Sequence, residues 1–254
     1  MDSDFSADDE AALYDLLNPW EPEQDSSARF YTDLVMAADS VLDVGCGTGQ
    51  LLHLARSRGH AGRLAGIDPD AASLRRARAR EADVEWVEGT AADAHPRWDA
   101  EFALATMSSC AFQCLVTDEE VRASLAAVRA ALRPGGRFVF ETRHPLARAW
   151  EGWTSAGADE VIDARGRTLH VRNDVEAVTD DQAGGRLVTC TETTTGADGG
   201  VLHLGRATLR FFTPEALDAF LTEAGLTVEA RHGDFDGGPF TPASRAIVTA
   251  ARRS

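Results

Sequence analysis

The segment that most restricts the fold is Val41–Gln50, VLDVGCGTGQ. An apolar run, Ser40 to Val44, leads into glycines at positions 45, 47 and 49, and a helical pattern follows from Thr48 to Arg58. Glycine permits tight turns that side chains forbid, and it lets a ligand come close to the backbone. A helix starting there offers free N–H groups and the positive end of its dipole. A buried strand, a glycine turn and a helix together predict the opening of a βαβ unit that holds a nucleotide-like ligand.

The following residues keep that rhythm. Arg63 to Ile67 predicts a second strand, Asp70 to Arg80 a helix with Asp70 as N-cap, and Val84 to Val87 a third strand. Phe102 to Met107 predicts a fourth strand and Asp118 to Leu132 a helix. Pro134-Gly135 ends that helix, and Arg137 to Glu141 predicts a fifth strand. Two helices, Glu10 to Leu17 and Ser26 to Ala37, precede the glycine loop, while the short acidic stretch Met1 to Asp9 predicts disorder. From about Trp150 to Phe212 the pattern turns β-branched and alternating, punctuated by Gly184-Gly185 and Gly199-Gly200. That predicts an antiparallel β insertion of four strands. Thr213-Pro214-Glu215 starts a helix to Ala224, and Leu226 to Ala230 and Ala246 to Ala250 predict the last two strands. The expected fold class is α/β. Residues 1–149 hold the N-terminal helices and the ligand-binding part, 150–212 the insertion, and 213–254 the completion of the main domain.

Charge narrows the partners. The 254 residues include 25 Lys and Arg against 41 Asp and Glu, a net charge of −16. Such a chain is short of the cations that displace counterions from nucleic acid, and anionic membrane surfaces repel it equally. A small-molecule partner is expected. Cys46, Cys110, Cys114 and Cys190 do not form a zinc-binding spacing, so no metal is expected. MDSDFSADDE lacks the apolar core of a secretory signal, and no run is long enough to span a membrane, so the expected location is cytoplasmic.

The glycine spacing helps choose the ligand. Dinucleotide loops read G-x-G-x-x-G, whereas this one reads D-x-G-x-G-x-G from Asp43. It resembles the first motif of class I S-adenosylmethionine-dependent methyltransferases. Thr106 to Gln113, TMSSCAFQ, is similar to the M-T-G-H-A-F-Q stretch of bacterial small-molecule members, and Leu132 to Gly136 to their L-[KR]-P-G-G turn. The resemblance runs from about Tyr14 to Glu141 and extends more loosely over the last strands. It implies a Rossmann-like fold with a mostly parallel seven-stranded sheet whose last strand is reversed. The implied activity is methyl transfer from S-adenosylmethionine to O or N of a small-molecule acceptor.

The resemblance also implies roles. Gly45, Cys46, Gly47, Thr48 and Gly49 would surround the methionyl and ribose groups, with Asp43 near the methionyl ammonium. Asp68-Pro69, after the second strand, would meet the ribose. A carboxylate there can accept from both ribose hydroxyls, or it can simply cap the next helix. Thr90 and Ala91 would face adenine, where Thr90 replaces the family's Asp. Asp93 either substitutes for that acid or is a solvated loop residue. Met107 would pack on the adenine or the sulfonium side. Ala103 stands where relatives carry Asp, and Cys110 where they carry His, which thins the pattern on the acceptor side.

Ligands of open α/β sheets bind beyond the carboxyl ends of the strands. His144, after the fifth strand, is the candidate base, or else a loop histidine bonded to backbone. Tyr14, Cys110, Phe112, Arg143 and Trp150 are candidates for the acceptor wall. Phe112 and Met107 read equally well as core residues. Trp20 reads as structural, and Trp153 reads as either wall or packing. Asp234, Asp236 and Phe240 are expected near the pocket rim. The insertion is expected to be a lid or a homodimer surface. Two rivals stand beside this reading. One is a protein that binds S-adenosylmethionine without methylating. The other is a nicotinamide-dependent oxidoreductase, which the glycine spacing disfavours.

Overall fold

The computed structural model describes residues 5–80, 83–154 and 158–254. Two helices come first: α1, Ala7–Leu17, and α2, Ser26–Ala37. Then strands and helices alternate: β1 Ser40–Val44, α3 Gln50–Ser57, β2 Arg63–Asp68, α4 Ala71–Ala79, β3 Glu85–Glu88, α5 Ala94–Arg97, β4 Phe102–Met107, α6 Asp118–Ala131 and β5 Leu132–Arg143. Four strands follow: β6 Asp159–Ile162, β7 Thr168–Asp180, β8 Gly185–Gly196 and β9 Val201–Phe212. The chain ends with α7 Pro214–Glu223, β10 Leu226–His232 and β11 Ala246–Arg253.

Two sheets result. The larger has seven strands in the order β10-β11-β5-β4-β1-β2-β3, and β11 runs antiparallel to both neighbours. Alternation along each strand feeds two cores. Leu42 and Val44 of β1 face one side with Ile67, Phe138 and Phe140, while Val41 faces the other with Leu64, Leu104 and Val139. Helices therefore cover both faces, as parallel strands require. The carboxyl ends of β1, β2, β3, β4 and β5 all open on one edge. The smaller sheet, β6-β7-β8-β9, is antiparallel throughout. Among the described residues no helix is long and apolar enough to cross a membrane.

The structure corrects three expectations. Phe5 to Asp9 is ordered: Ser6 caps α1 in a reciprocal box with Asp9, and Phe5 is buried against Leu13, Leu169 and Val171. Acidic composition hid this, because the apolar partners lie in the insertion; Met1 to Asp4 fall outside the described residues. The helix after the glycine loop starts at Gln50 rather than Thr48, since Gly49 at its N-cap adopts φ +76°. β5 begins at Leu132, not Arg137. Pro134-Gly135-Gly136 lies within it as an irregularity, and the pairing with β4 jumps from Phe102–Leu132 to Leu104–Arg137.

Arg210 of β9 ties the insertion to the main sheet. Its guanidinium is 1 % exposed and meets Asp181 at 2.7 Å and Asp118, the first residue of α6, at 2.7 Å. It also lies over the Phe212 ring at 4.7 Å.

Candidate active site

The glycine loop is built against its neighbours before any ligand arrives. Gly45 N–H donates to the Ile67 carbonyl at 2.8 Å, and Gly49 N–H to the Cys46 carbonyl at 2.9 Å. A Cβ on Gly49 would lie 2.5 Å from the Trp86 ring, in a backbone region that only glycine enters freely. Gly47 N–H reaches Oδ2 of Asp68 at 2.7 Å, and Asp70 N–H reaches Oδ1 at 2.8 Å. These two bonds fix the Asp68 carboxylate. Helix capping falls to Asp70, which accepts from Ala72 and Ser73 N–H.

Beside the loop lies a cleft of about 710 Å³. Gly45, Asp68-Pro69, Thr90, Ala91 and Met107 line it, opposite Leu115 and one face of α6. The volume suits a nucleoside-sized ligand. Its walls are largely apolar, with Asp68 on the strand side and Glu119 and Glu120 on the α6 side.

Three buried carboxylates stand at the strand ends. Asp43 accepts from the Thr106 hydroxyl at 2.9 Å, and burial, with the charges of Asp68 and Glu141, raises its pKa to about 7. Burial also raises Asp68 above the ordinary carboxylate range. Glu141, again raised by burial, accepts from Cys110 N–H at 2.6 Å and from the Tyr31 hydroxyl. Tyr31 is itself pushed well up by burial and then by Glu141. Acids crowded together at low dielectric create a negative potential that a cationic ligand relieves. A sulfonium with an ammonium at its far end has that character.

The other predicted residues divide. Tyr14 is not among the residues lining the cleft; burial, then the charges of Asp68 and Asp15, raise its pKa. Ser109 and Cys110 both hold positive φ, 55° and 59°, strain that a loop keeps only when its surroundings impose it. Burial and then Glu141 push the Cys110 thiol up to about 12, so it stays protonated. Arg143 stands behind it, with Nη1 on the Gln113 carbonyl oxygen at 3.0 Å and its guanidinium over Trp153 at 5.3 Å.

Others turn away from the cleft. The Thr48 hydroxyl donates to Asp15 of α1, and Cys46 is buried with its thiol pushed well up. Thr90 stays in the cleft wall, but its hydroxyl donates to Asp93 at 2.7 Å in a capping box, which commits its proton. Phe112 is a core residue, stacked on Phe140 at 4.4 Å. Trp20 donates to Thr32 at 3.1 Å and is structural. Trp150 packs on Phe211, and His144 and Phe240 line a different cavity with it. Phe235, between Asp234 and Asp236, packs on Phe30 and Tyr31, away from the cleft.

Sequence reasoning missed several residues. Glu141 was visible only as a strand end. Asp15 accepts from Arg76 at 2.9 Å and Arg80 at 2.7 Å and so docks α1 beside the loop. Gln113, fully buried, bonds to both Arg143 and the Arg210 carbonyl. No local motif signals partners so distant in the chain.

A model of the methyltransferase domain matches residues 41–136. The cypemycin N-terminal methyltransferase of a Streptomyces species is 30% identical over 267 residues, covering 99% of each chain. The fold is similar to that of S-adenosylmethionine-bound CalS10, an amino pentose methyltransferase from Micromonospora echinaspora. The TM-score is 0.67 at 27% identity, over 96% of both chains. It is also similar to the CcbJ methyltransferase from Streptomyces caelestis, with a TM-score of 0.71 at 22% identity, over 93% of this chain and 97% of that one. The glycine loop bonded to a strand-end acid and the nucleoside-sized cleft fit a nucleoside ligand, and the methyltransferase relatives, matched over nearly their whole length, weigh against the nicotinamide alternative. The chain belongs to the class I S-adenosylmethionine-dependent methyltransferases.

Proposed function

We propose that the enzyme methylates an amine nitrogen of a small-molecule acceptor, which approaches between Tyr14 and the Ser109-Cys110 loop. The observation that supports this is the acid cluster beside the Ser109-Cys110 turn: Glu141 accepts from Cys110 N–H at 2.6 Å, and Asp43 and Asp68 are buried at the neighbouring strand ends. Such a cluster concentrates a cationic amine. Two relatives are named for amine-bearing acceptors, an N-terminus and an amino pentose. The net charge of −16 supports a small molecule over nucleic acid.

S-adenosylmethionine, when bound, supplies an activated methyl group. The chain's own residues orient and exclude. Asp68 would hold the ribose, Asp43 the ammonium, and Ala91 and Met107 the adenine. Tyr14 and the strained Ser109-Cys110 turn would fix the acceptor in line. Alignment of this kind supplies much of the rate in a transfer between two bound molecules. An amine loses its proton to solvent before it attacks, so no base need touch it. His144, in the other cavity, is not needed as one. The insertion, packed on Leu13 of α1 through Leu169 and Val171, would roof the acceptor chamber.

The test is incubation with methyl-¹³C-labelled S-adenosylmethionine and a panel of amino sugars, amino acids and short peptides. N-methyl product with stoichiometric S-adenosylhomocysteine supports the proposal. Product labelled on oxygen alone overturns it.

A further inference from the structure

We infer that the cavity at His144 is a second ligand site, selective for an aromatic carboxylate. Its volume is about 630 Å³, and it shares no lining residue with the cofactor cleft. Trp150 and Phe240 form aromatic walls, and Pro145, Pro214 and Pro242 rigid ones. Leu146 and Val178, 68% and 42% exposed, add apolar surface at the rim. Flat apolar walls of this kind hold a ring system.

The polar groups select the rest of the ligand. His144 is 2% exposed, and its ring stands edge-on to Phe240 at 5.1 Å. Nδ1 lies 3.0 Å from the Ser244 carbonyl. A carbonyl only accepts, so Nδ1 carries the proton. Nε2 has no partner among the described residues, although the imidazole is almost fully buried at the cavity wall. A ring nitrogen that faces the cavity can take its partner from a ligand. Nε2 then accepts from a ring hydroxyl.

The surrounding charge favours an anion. Arg148 and Arg186 line the cavity, as does the first turn of α7 with Thr213 and Pro214, whose dipole presents its positive end. Glu215 is the one acid in the lining. This is unusual in a chain of net charge −16. Both arginines are paired, with Glu151 at 2.6 Å and Asp180 at 2.7 Å, but these are exposed ion pairs, which yield readily to a ligand anion.

The test uses 1-hydroxy-2-naphthoate, followed by its fluorescence, with the cofactor cleft saturated by S-adenosylhomocysteine. The expected result is binding at one equivalent without displacement of S-adenosylhomocysteine. Val178→Trp, which fills the rim from an exposed position, should weaken the probe at least tenfold, by about 1.4 kcal/mol, and leave S-adenosylhomocysteine affinity unchanged. Arg186→Glu and His144→Phe should weaken it similarly, and Val178→Trp serves as the arbiter where His144→Phe fails to fold. Absence of binding, competition with S-adenosylhomocysteine, or wild-type affinity in Val178→Trp would overturn the inference.

Discussion

The backbone N–H of Gly47 donates to the Asp68 carboxylate at 2.7 Å, joining the glycine loop of one βαβ turn to the acid that ends the next strand. The loop and the acid proposed to hold the ribose are thus one preorganised unit. Each carboxylate oxygen retains a lone pair after its backbone bond, so Asp68 can still accept from two hydroxyls. Replacing Asp68 by Ala removes both those contacts and the brace on the loop. S-adenosylhomocysteine affinity should fall about 10- to 100-fold, the range for lost hydrogen bonds to a charged group. Calorimetry checks this, with circular dichroism expected to show an intact fold.

Asp43, proposed to meet the cofactor ammonium, should make cofactor affinity depend on pH. Its folded pKa is about 7 against an ordinary 3.8, so folding favours the protonated acid. The resulting stability is complete at low pH and is lost as pH rises through 7. An ammonium ligand needs the ionised form, so S-adenosylhomocysteine should bind tighter at pH 8 than at pH 6, and release a proton from Asp43 near neutrality. Titrations in buffers of different ionisation heat read that release. Asp43→Asn should flatten the profile.

Asp15 should behave as the clasp of α1. It accepts from Thr48 of the glycine loop and from Arg76 and Arg80 of α4 and its cap. Tyr14, the adjacent residue, depends on that docking. Asp15→Ala should cost about 1–3 kcal/mol of stability in urea, as expected for breaking partly buried charged hydrogen bonds. It should also raise the acceptor KM more than it lowers kcat.

The Arg210–Asp181 pair predicts a larger loss. Both side chains are buried, at 1% and 8% exposure. Arg210→Met strands Asp181 and frees Asp118 at the start of α6, and should destabilise the protein by about 3–5 kcal/mol. Asp181→Asn, which keeps an acceptor for the guanidinium, should cost less. Thermal unfolding of the two variants gives the comparison.

What was legible in the sequence was what local pattern encodes. The glycines at 45, 47 and 49 mark a turn because few other residues enter those backbone regions. Period-2 alternation exposed β7, β8 and β9. The reversal of β11 came only with the family resemblance, since strand direction leaves no local trace. Phe5 looked disordered because its partners, Leu169 and Val171, lie more than 160 residues away. Trp86 gave no hint that it packs against Gly49, and Gln113 none that it bridges Arg143 and Arg210. Arg143 and His144 are consecutive, yet one stands by the Cys110 loop and the other faces the second cavity. Alternation along a strand sends neighbours to opposite sides, and how the insertion packs there decides what each side meets.

The central claim is that the cofactor lies in the cleft between Asp68 and Met107. A crystal structure with S-adenosylhomocysteine tests it most directly. The account predicts ribose hydroxyls on the Asp68 carboxylate, adenine between Ala91 and Met107, and the ammonium toward Asp43. S-adenosylhomocysteine lying in the His144 cavity, or a ribose that does not touch Asp68, would contradict it.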